Sequence, residues 1–305
     1  VLFFTKLAYR WCYLLVRLIY DKLDTKNETK ILNKKSVGNF NLDTDEQKEW
    51  YSISTNRSSE HLGDCLELMP LIADKSIDLI CCDLPYGTTK CKWDTIIPFD
   101  KLWEQYERII KPNGAIVLTA QQPFTSALVM SNPKIYKYDL YWKKSKPVGF
   151  ANAKKMPLKD VETISIFYKS LPTYNPQGIE KCNRVISNST KKIKQNNITA
   201  INGGAFKTDT FIQEFTNYPR QIIEVGVEQG LHPTQKPTEL FEYLIKTYTD
   251  ENEIVLDNTA GVFTTAIACL NTNRKYIVME KEKEYYNKGL KRILEWEREQ
   301  KTKLV

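Results

Sequence analysis

The sequence predicts an α/β protein built on a mostly parallel sheet. Three observations carry that reading. Short apolar runs are bounded by polar residues, helical spacing separates them, and a strand–helix–strand order recurs at both ends of the regular part. The run Ile77–Cys82, IDLICC, has the texture of a strand buried on both faces.

The elements follow in order. Ser59–Asp64 reads as a short strand and its turn, and Cys65–Ile72 has helical apolar spacing through Leu66, Met69 and Ile72. Asp74-Lys75-Ser76 breaks it before the strand Ile77–Cys82. A helix around Leu102–Ile110 stops at Lys-Pro-Asn-Gly, and strands are expected over Ala115–Thr119, Lys137–Trp142 and Val161–Tyr168. From Ser170 to Gly230 the texture turns irregular, with Pro172, Pro176 and Gly203-Gly204 among Asn- and Lys-rich stretches, as in an insertion. Regularity returns with helix Thr238–Tyr248, strand Glu253–Asp257, helix Thr264–Asn271, strand Lys275–Glu280 and helix Tyr285–Gln300. The resulting division is an N-terminal extension and linker (1–57), a first regular half (58–170), a basic insertion (171–230) and a second regular half (231–305).

Composition narrows the function. The 305 residues are 42% hydrophobic and 27% charged, which excludes fibrous and wholly disordered classes. Net charge is +7, but Lys134–Asp209 alone carries 15 Lys/Arg against 5 Asp/Glu, leaving the rest of the chain at −3. The anionic partner that such a segment suits is therefore met by one region. Seven cysteines without a CxxC pair, and two distant histidines, argue against zinc and for thiols in a reducing compartment. The most membrane-like stretch, Val1–Tyr20, is interrupted by Lys6, Arg10 and Arg17, so no spanning helix is expected.

Two strand ends carry chemistry, because ligands of open parallel sheets sit beyond the carboxyl ends of the strands. Asp83-Leu84-Pro85-Tyr86 follows IDLICC. Its carboxylate can accept a hydrogen bond from an exocyclic amine, and its aromatic ring can stack on a flat heterocycle. An ordinary β–α turn explains the same four residues equally well. Asp257-Asn258-Thr259-Ala260-Gly261 follows the next such strand, and Glu280 lies 23 residues beyond Asp257, the layout of a nucleoside site whose acid grips ribose hydroxyls. His232-Pro233-Thr234-Gln235-Lys236-Pro237 opens the preceding helix and, alone, reads as a helix start.

Together these segments resemble the β-class amino-methyltransferases that act on DNA. DLPY is similar to their DPPY catalytic motif, LDNTAG to their D-x-F-x-G-x-G cofactor motif, and HPTQKP to the motif just upstream of it. The order, catalytic motif, basic insertion, cofactor motif, is the circular permutation of that class. The resemblance covers about residues 58 to 300. It implies a circularly permuted Rossmann-like methyltransferase sheet with a small target-recognition insertion. It also implies S-adenosylmethionine as cofactor, double-stranded DNA as partner, no metal, and direct transfer to the N6 amine of a flipped adenine. N4-cytosine is the alternative acceptor. Asp83, Leu84, Pro85 and Tyr86 would be catalytic, with Asp83 and the Leu84 carbonyl accepting the two N–H bonds of the amine. Asp64, His232, Thr234, Lys236, Asp257, Asn258, Gly261 and Glu280 would bind the cofactor. Asp64 reads equally as a turn residue. Lys144, Lys154, Lys155, Lys181, Arg184, Lys191, Lys192, Lys194 and Arg220 would contact DNA.

Trp93 and Phe99 are candidates for the base pocket, with core packing the blander reading. A bacterial or phage-infected cytoplasm, a homodimer and a companion restriction endonuclease are the associated expectations. Two departures stand out. Leu84 replaces the first Pro of DPPY, and Gly261-Val262-Phe263 stands where relatives have Gly-Ser-Gly. Either the pocket has adapted to this Phe or the ring crowds the cofactor, which leaves a second reading: a DNA-binding relative with an impaired cofactor site.

Overall fold

The computed structural model describes residues 53–55, 57–89, 91, 94–186, 211–228 and 235–303. The extension expected over residues 1–57 therefore lies almost wholly outside the described residues, as do Trp93, Lys191, Lys192, Lys194, His232 and Thr234.

The chain order is β1 (Ser59–Leu62), α1 (Cys65–Leu68), a 3-10 turn Met69–Leu71, β2 (Ile77–Asp83), α2 (Phe99–Ile109), β3 (Ile110–Ala120), α3 (Phe124–Ser131), β4 (Tyr136–Val148) and β5 (Lys159–Phe167). It continues with β6 (Glu180–Ile186), β7 (Phe211–Thr216), β8 (Ile222–Val225), α4 (Thr238–Tyr248), β9 (Ile254–Asp257), α5 (Thr264–Asn271), β10 (Lys275–Glu280) and α6 (Lys283–Lys303). The expected helix over Cys65–Ile72 is only one α-helical turn, because Pro70 removes an amide donor and the chain continues as a 3-10 turn.

Eight strands form one sheet in the order β1-β10-β9-β2-β3-β5-β4-β8. From β1 to β3 all neighbours are parallel; β5 then runs antiparallel to both β3 and β4, and β8 is parallel to β4. Strands β9 and β2 are neighbours although some 170 residues separate them in sequence, with Ile80 opposite Leu256. This is how the permuted order still yields a continuous parallel centre.

Helices cover both faces, so inner strands read as unbroken apolar runs. Ile80 and Cys82 face one core with Leu102, Tyr106, Phe124 and Leu128 from α2 and α3. Leu79 and Cys81 face the other, with Leu240, Leu244 and Phe263 from the α4–α5 side. Adjacent Cys81 and Cys82 thus lie in opposite cores, and burial pushes both thiols well above the usual range. Six described cysteines are free.

The segment read as irregular contains structure after all. β6 and β7 pair as a separate antiparallel two-stranded sheet, and β8 joins the edge of the main sheet. Among the described residues no helix is long and apolar enough to cross a membrane, and no group of three or more His, Cys, Asp or Glu is placed to hold a metal ion.

Candidate active site

Parallel strands end on the same side, and that places the acidic strand ends in one row. Asp83 closes β2, Asp257 closes β9, Glu280 closes β10, and Gly63-Asp64 follows β1. Beyond them opens a cleft of about 990 Å³ lined by residues of both halves, among them Asp64, Asp83, Tyr86, Lys236, Asn258 and Glu280. The cleft is where permutation brings the two motif sets together.

Asp83 is held on all sides. Tyr86 Oη donates to its Oδ1 at 2.7 Å, the Thr119 hydroxyl donates to the same oxygen, and Lys236 Nζ donates to Oδ2 at 2.8 Å. Thr119 reaches it because β3 lies beside β2 in register Asp83–Thr119. The Thr259 hydroxyl bonds the Asp83 carbonyl at 3.1 Å and ties the two motif loops together. Burial raises the Tyr86 hydroxyl pKa well above its usual value, so it stays a donor. Its ring lies 5.2 Å from Phe124, at the edge of the cleft. Phe99 packs on Phe124 from behind at 5.6 Å, in agreement with the packing reading.

Lys236 was expected among the cofactor ligands, yet its ammonium sits on the Asp83 carboxylate. Its side chain is 6% exposed and lies 3.3 Å from Glu162 Oε2, whose other oxygen pairs with Lys144. Burial works against the charge, but Asp83 and Glu162 outweigh it and hold the ammonium well above the usual lysine range. Lys144 likewise departs from its expected place on phosphate. Its side chain is 11% exposed and neutralised by Glu162, because β4 and β5 pair with Trp142 opposite Glu162. The four groups form an alternating chain Asp83–Lys236–Glu162–Lys144.

The loop after Tyr86 is organised by Asp94. Its carboxylate accepts the amides of Gly87 at 2.8 Å, Thr88 at 2.9 Å and Thr89 at 2.6 Å. Burial opposes ionisation, but a hydrogen bond from the Thr89 side chain together with these amides wins and lowers its pKa. Sequence reasoning missed Asp94, Thr119 and Glu162; an acid seven residues beyond Gly87 in a polar loop was the one signal available.

The other half of the cleft is polar at strand ends. Asp257 accepts the Thr265 hydroxyl and the Thr259 amide, and burial pushes its carboxyl up to about 7 against those bonds. Asn258 Oδ1 accepts from Cys82 Sγ at 3.0 Å and Tyr106 Oη at 2.6 Å, while its buried Nδ2 has no hydrogen-bond partner. Glu280 accepts the amides of Gly261 and Glu282, each at 2.7 Å, and burial raises its pKa. Asp64 caps α1 through the Leu66 amide at 2.9 Å and pairs with Lys281 at 2.9 Å, so the turn role is satisfied while the residue still lines the cleft.

At Phe263 the structure favours an adapted pocket over crowding. Its backbone is left-handed (φ 64°), the conformation for which glycine is best suited, but the ring turns away from the cleft. It is fully buried and stacks edge-on with Tyr286 at 5.4 Å. Gly289 makes the room: a Cβ there would lie 2.4 Å from the ring.

Residues 77–291 match the family of DNA methylases that modify N6 or N4 amines. The chain belongs to that family. M1.MboII of Moraxella bovis, a Type II methyltransferase, is 26% identical over 75% of this chain and 94% of its own length. The DNA adenine methyltransferase YhdJ of Escherichia coli is 27% identical over 76% of this chain and 81% of its own. The solved PvuII DNA methyltransferase, described as cytosine-N4-specific, shares the fold at a TM-score of 0.55 and 18% identity, over 79% of this chain and 86% of that one.

Membership makes S-adenosylmethionine the cofactor, and the cleft suits it. The unpaired Asn258 Nδ2 is a buried donor beside the cleft, Glu280 lines the cleft at the end of β10, and nothing stands within 4 Å of where a Gly261 side chain would begin.

Proposed function

We propose that this DNA methyltransferase modifies the N6 amine of adenine, in a restriction–modification setting. The observation that carries the reading is the Asp83 carboxylate, half-buried at a strand end with its Oδ1 bonded by two hydroxyls and its Oδ2 by one ammonium. A lone pair of Oδ2 is left for an incoming N–H. Aspartate at this position resembles the adenine enzymes of the family.

The placement of the residues supports a division of labour. Asp64, Asn258, Gly261 and Glu280 hold the nucleoside end of S-adenosylmethionine, which supplies an electrophilic methyl group on sulfur. Lys236, although it sits on Asp83, remains within the same cleft. Asp83 and the Leu84 carbonyl accept the two N–H bonds of the amine, which turns the nitrogen lone pair toward the methyl carbon. Orientation is the main contribution, because the amine lone pair is otherwise delocalised into the ring. Tyr86 stacks on a base that has left the duplex, offsetting the few kcal/mol of unstacking. Lys154, Lys155, Lys181, Arg184 and Arg220, all exposed, are assigned to phosphate.

Labelled S-adenosylmethionine, mixed-sequence duplex DNA and nucleoside analysis test this directly. Labelled N6-methyladenine is expected, and Asp83→Ala should abolish it while cofactor binding by calorimetry persists. Labelled N4-methylcytosine would move the target base and keep the rest of the assignment. Turnover by Asp83→Ala would remove that residue from the chemistry.

A further inference from the structure

The connection between β4 and β5 carries an apolar residue that the site does not use. Phe150 is 70% exposed, on a 3-10 turn Phe150–Asn152, and Met156 nearby is 51% exposed. An isolated exposed aliphatic group is unremarked on a protein surface, but a bare phenylalanine beside a reaction cleft is not. Val148, Gly149, Asn152 and Met156 line the same cleft as Asp83 and Tyr86, which puts Phe150 at its rim.

The turn is built rather than loose. Asn152 and Ala153 donate to Gly149 and Phe150 at 2.9 and 3.1 Å, and Lys155 and Met156 both donate to the Asn152 carbonyl. Gly149, with φ 95°, lets the chain reverse, and nothing lies within 4 Å of where its side chain would be. The turn stands clear of its own protein. Around it are Lys146, Lys154, Lys155 and Lys159, none of which has a carboxylate partner among the described residues. Unpaired cations around a protruding apolar group match a polyanion with an apolar interior, and a DNA duplex has that chemistry.

We propose that Phe150 enters the base stack of bound duplex DNA and occupies the gap vacated by the target nucleotide. The lysines hold the flanking phosphates while the ring replaces the lost stacking, which keeps the nucleotide out and available to Asp83. This rests on the function proposed above, but its test needs no methyl transfer.

The full chain is titrated with two duplexes of one sequence, one of them carrying a single abasic site as a ready-made gap. The wild type is expected to prefer the abasic duplex by about tenfold, the scale of one base–aromatic stack. Phe150→Ala should bind both equally, Phe150→Leu should keep part of the preference, and Lys154→Gln with Lys155→Gln should weaken both duplexes alike. Absence of the preference in wild type, or its survival in Phe150→Ala, overturns the inference. A change of oligomeric state in Phe150→Ala without loss of the preference would also overturn it and assign the ring to a second copy. Intact preference with no methyl transfer would sink the proposed function alone.

Discussion

Lys236 bridges two carboxylates, Asp83 and Glu162. Removing it leaves Asp83 without its cation and Glu162 with Lys144 alone, and breaking such a buried pair costs about 3–5 kcal/mol. Lys236→Met is therefore expected to lower unfolding stability by that order, and adding Glu162→Gln should recover part of the loss in the same denaturant titration. Asp94 acts on a different atom set, the three amides of Gly87, Thr88 and Thr89. Asp94→Asn replaces one acceptor oxygen with a donor and loosens the loop that carries Tyr86. Transfer should fall roughly tenfold or more through misplacement of the loop, with cofactor affinity unchanged; an unaltered turnover number would deny Asp94 that positioning role.

Between α5 and α6, one large residue and one absent side chain are matched. Phe263 fills the space over Gly289, so a methyl group at 289 overpacks the junction. Gly289→Ala should cost about 1–3 kcal/mol, and Phe263→Leu should relieve much of that penalty in a double-mutant cycle. The end of β9 has a pH signature of its own. Because the folded pKa of Asp257 is raised to about 7, the native state binds the extra proton between the unfolded value of 3.8 and 7. Its contribution is fully present below 3.8 and lost as pH rises through about 7. Melting temperature across this window should decline more steeply in the wild type than in Asp257→Asn. Glu280, also raised by burial, leaves a residual slope.

For the whole molecule, charge and fold divide the work. Net positive charge is concentrated between Lys134 and Asp209 while the parallel centre supplies the acidic strand ends. Lys181 and Arg184 are both on β6, exposed, on a sheet separate from the main one. We assign this small sheet, with the residues around it, to target recognition. Replacing both with Gln should reduce the slope of log affinity against log salt by about 2 if each meets a phosphate. An unchanged slope would place the recognition surface elsewhere. β8 returns the chain to the main sheet after this excursion, opposite Lys143 and Lys144.

The residues alone determined the alternation of strands and helices, the permuted order of the motifs, and the four strand-end positions Asp64, Asp83, Asp257 and Glu280. They could do so because apolar periodicity and turn chemistry are local properties. The helix Phe124–Ser131 escaped because it is short and nearly uniform in polarity around its circumference; β6, β7 and β8 escaped because each is stabilised by distant partners, not by its own pattern. Tertiary structure alone decided that Lys236 and Lys144 belong to the surroundings of Asp83, that Thr119 and Glu162 join them, and that Phe263 turns away from the cleft. Those outcomes depend on strand register and on an empty position at Gly289, contacts between residues far apart in sequence whose geometry no local pattern encodes.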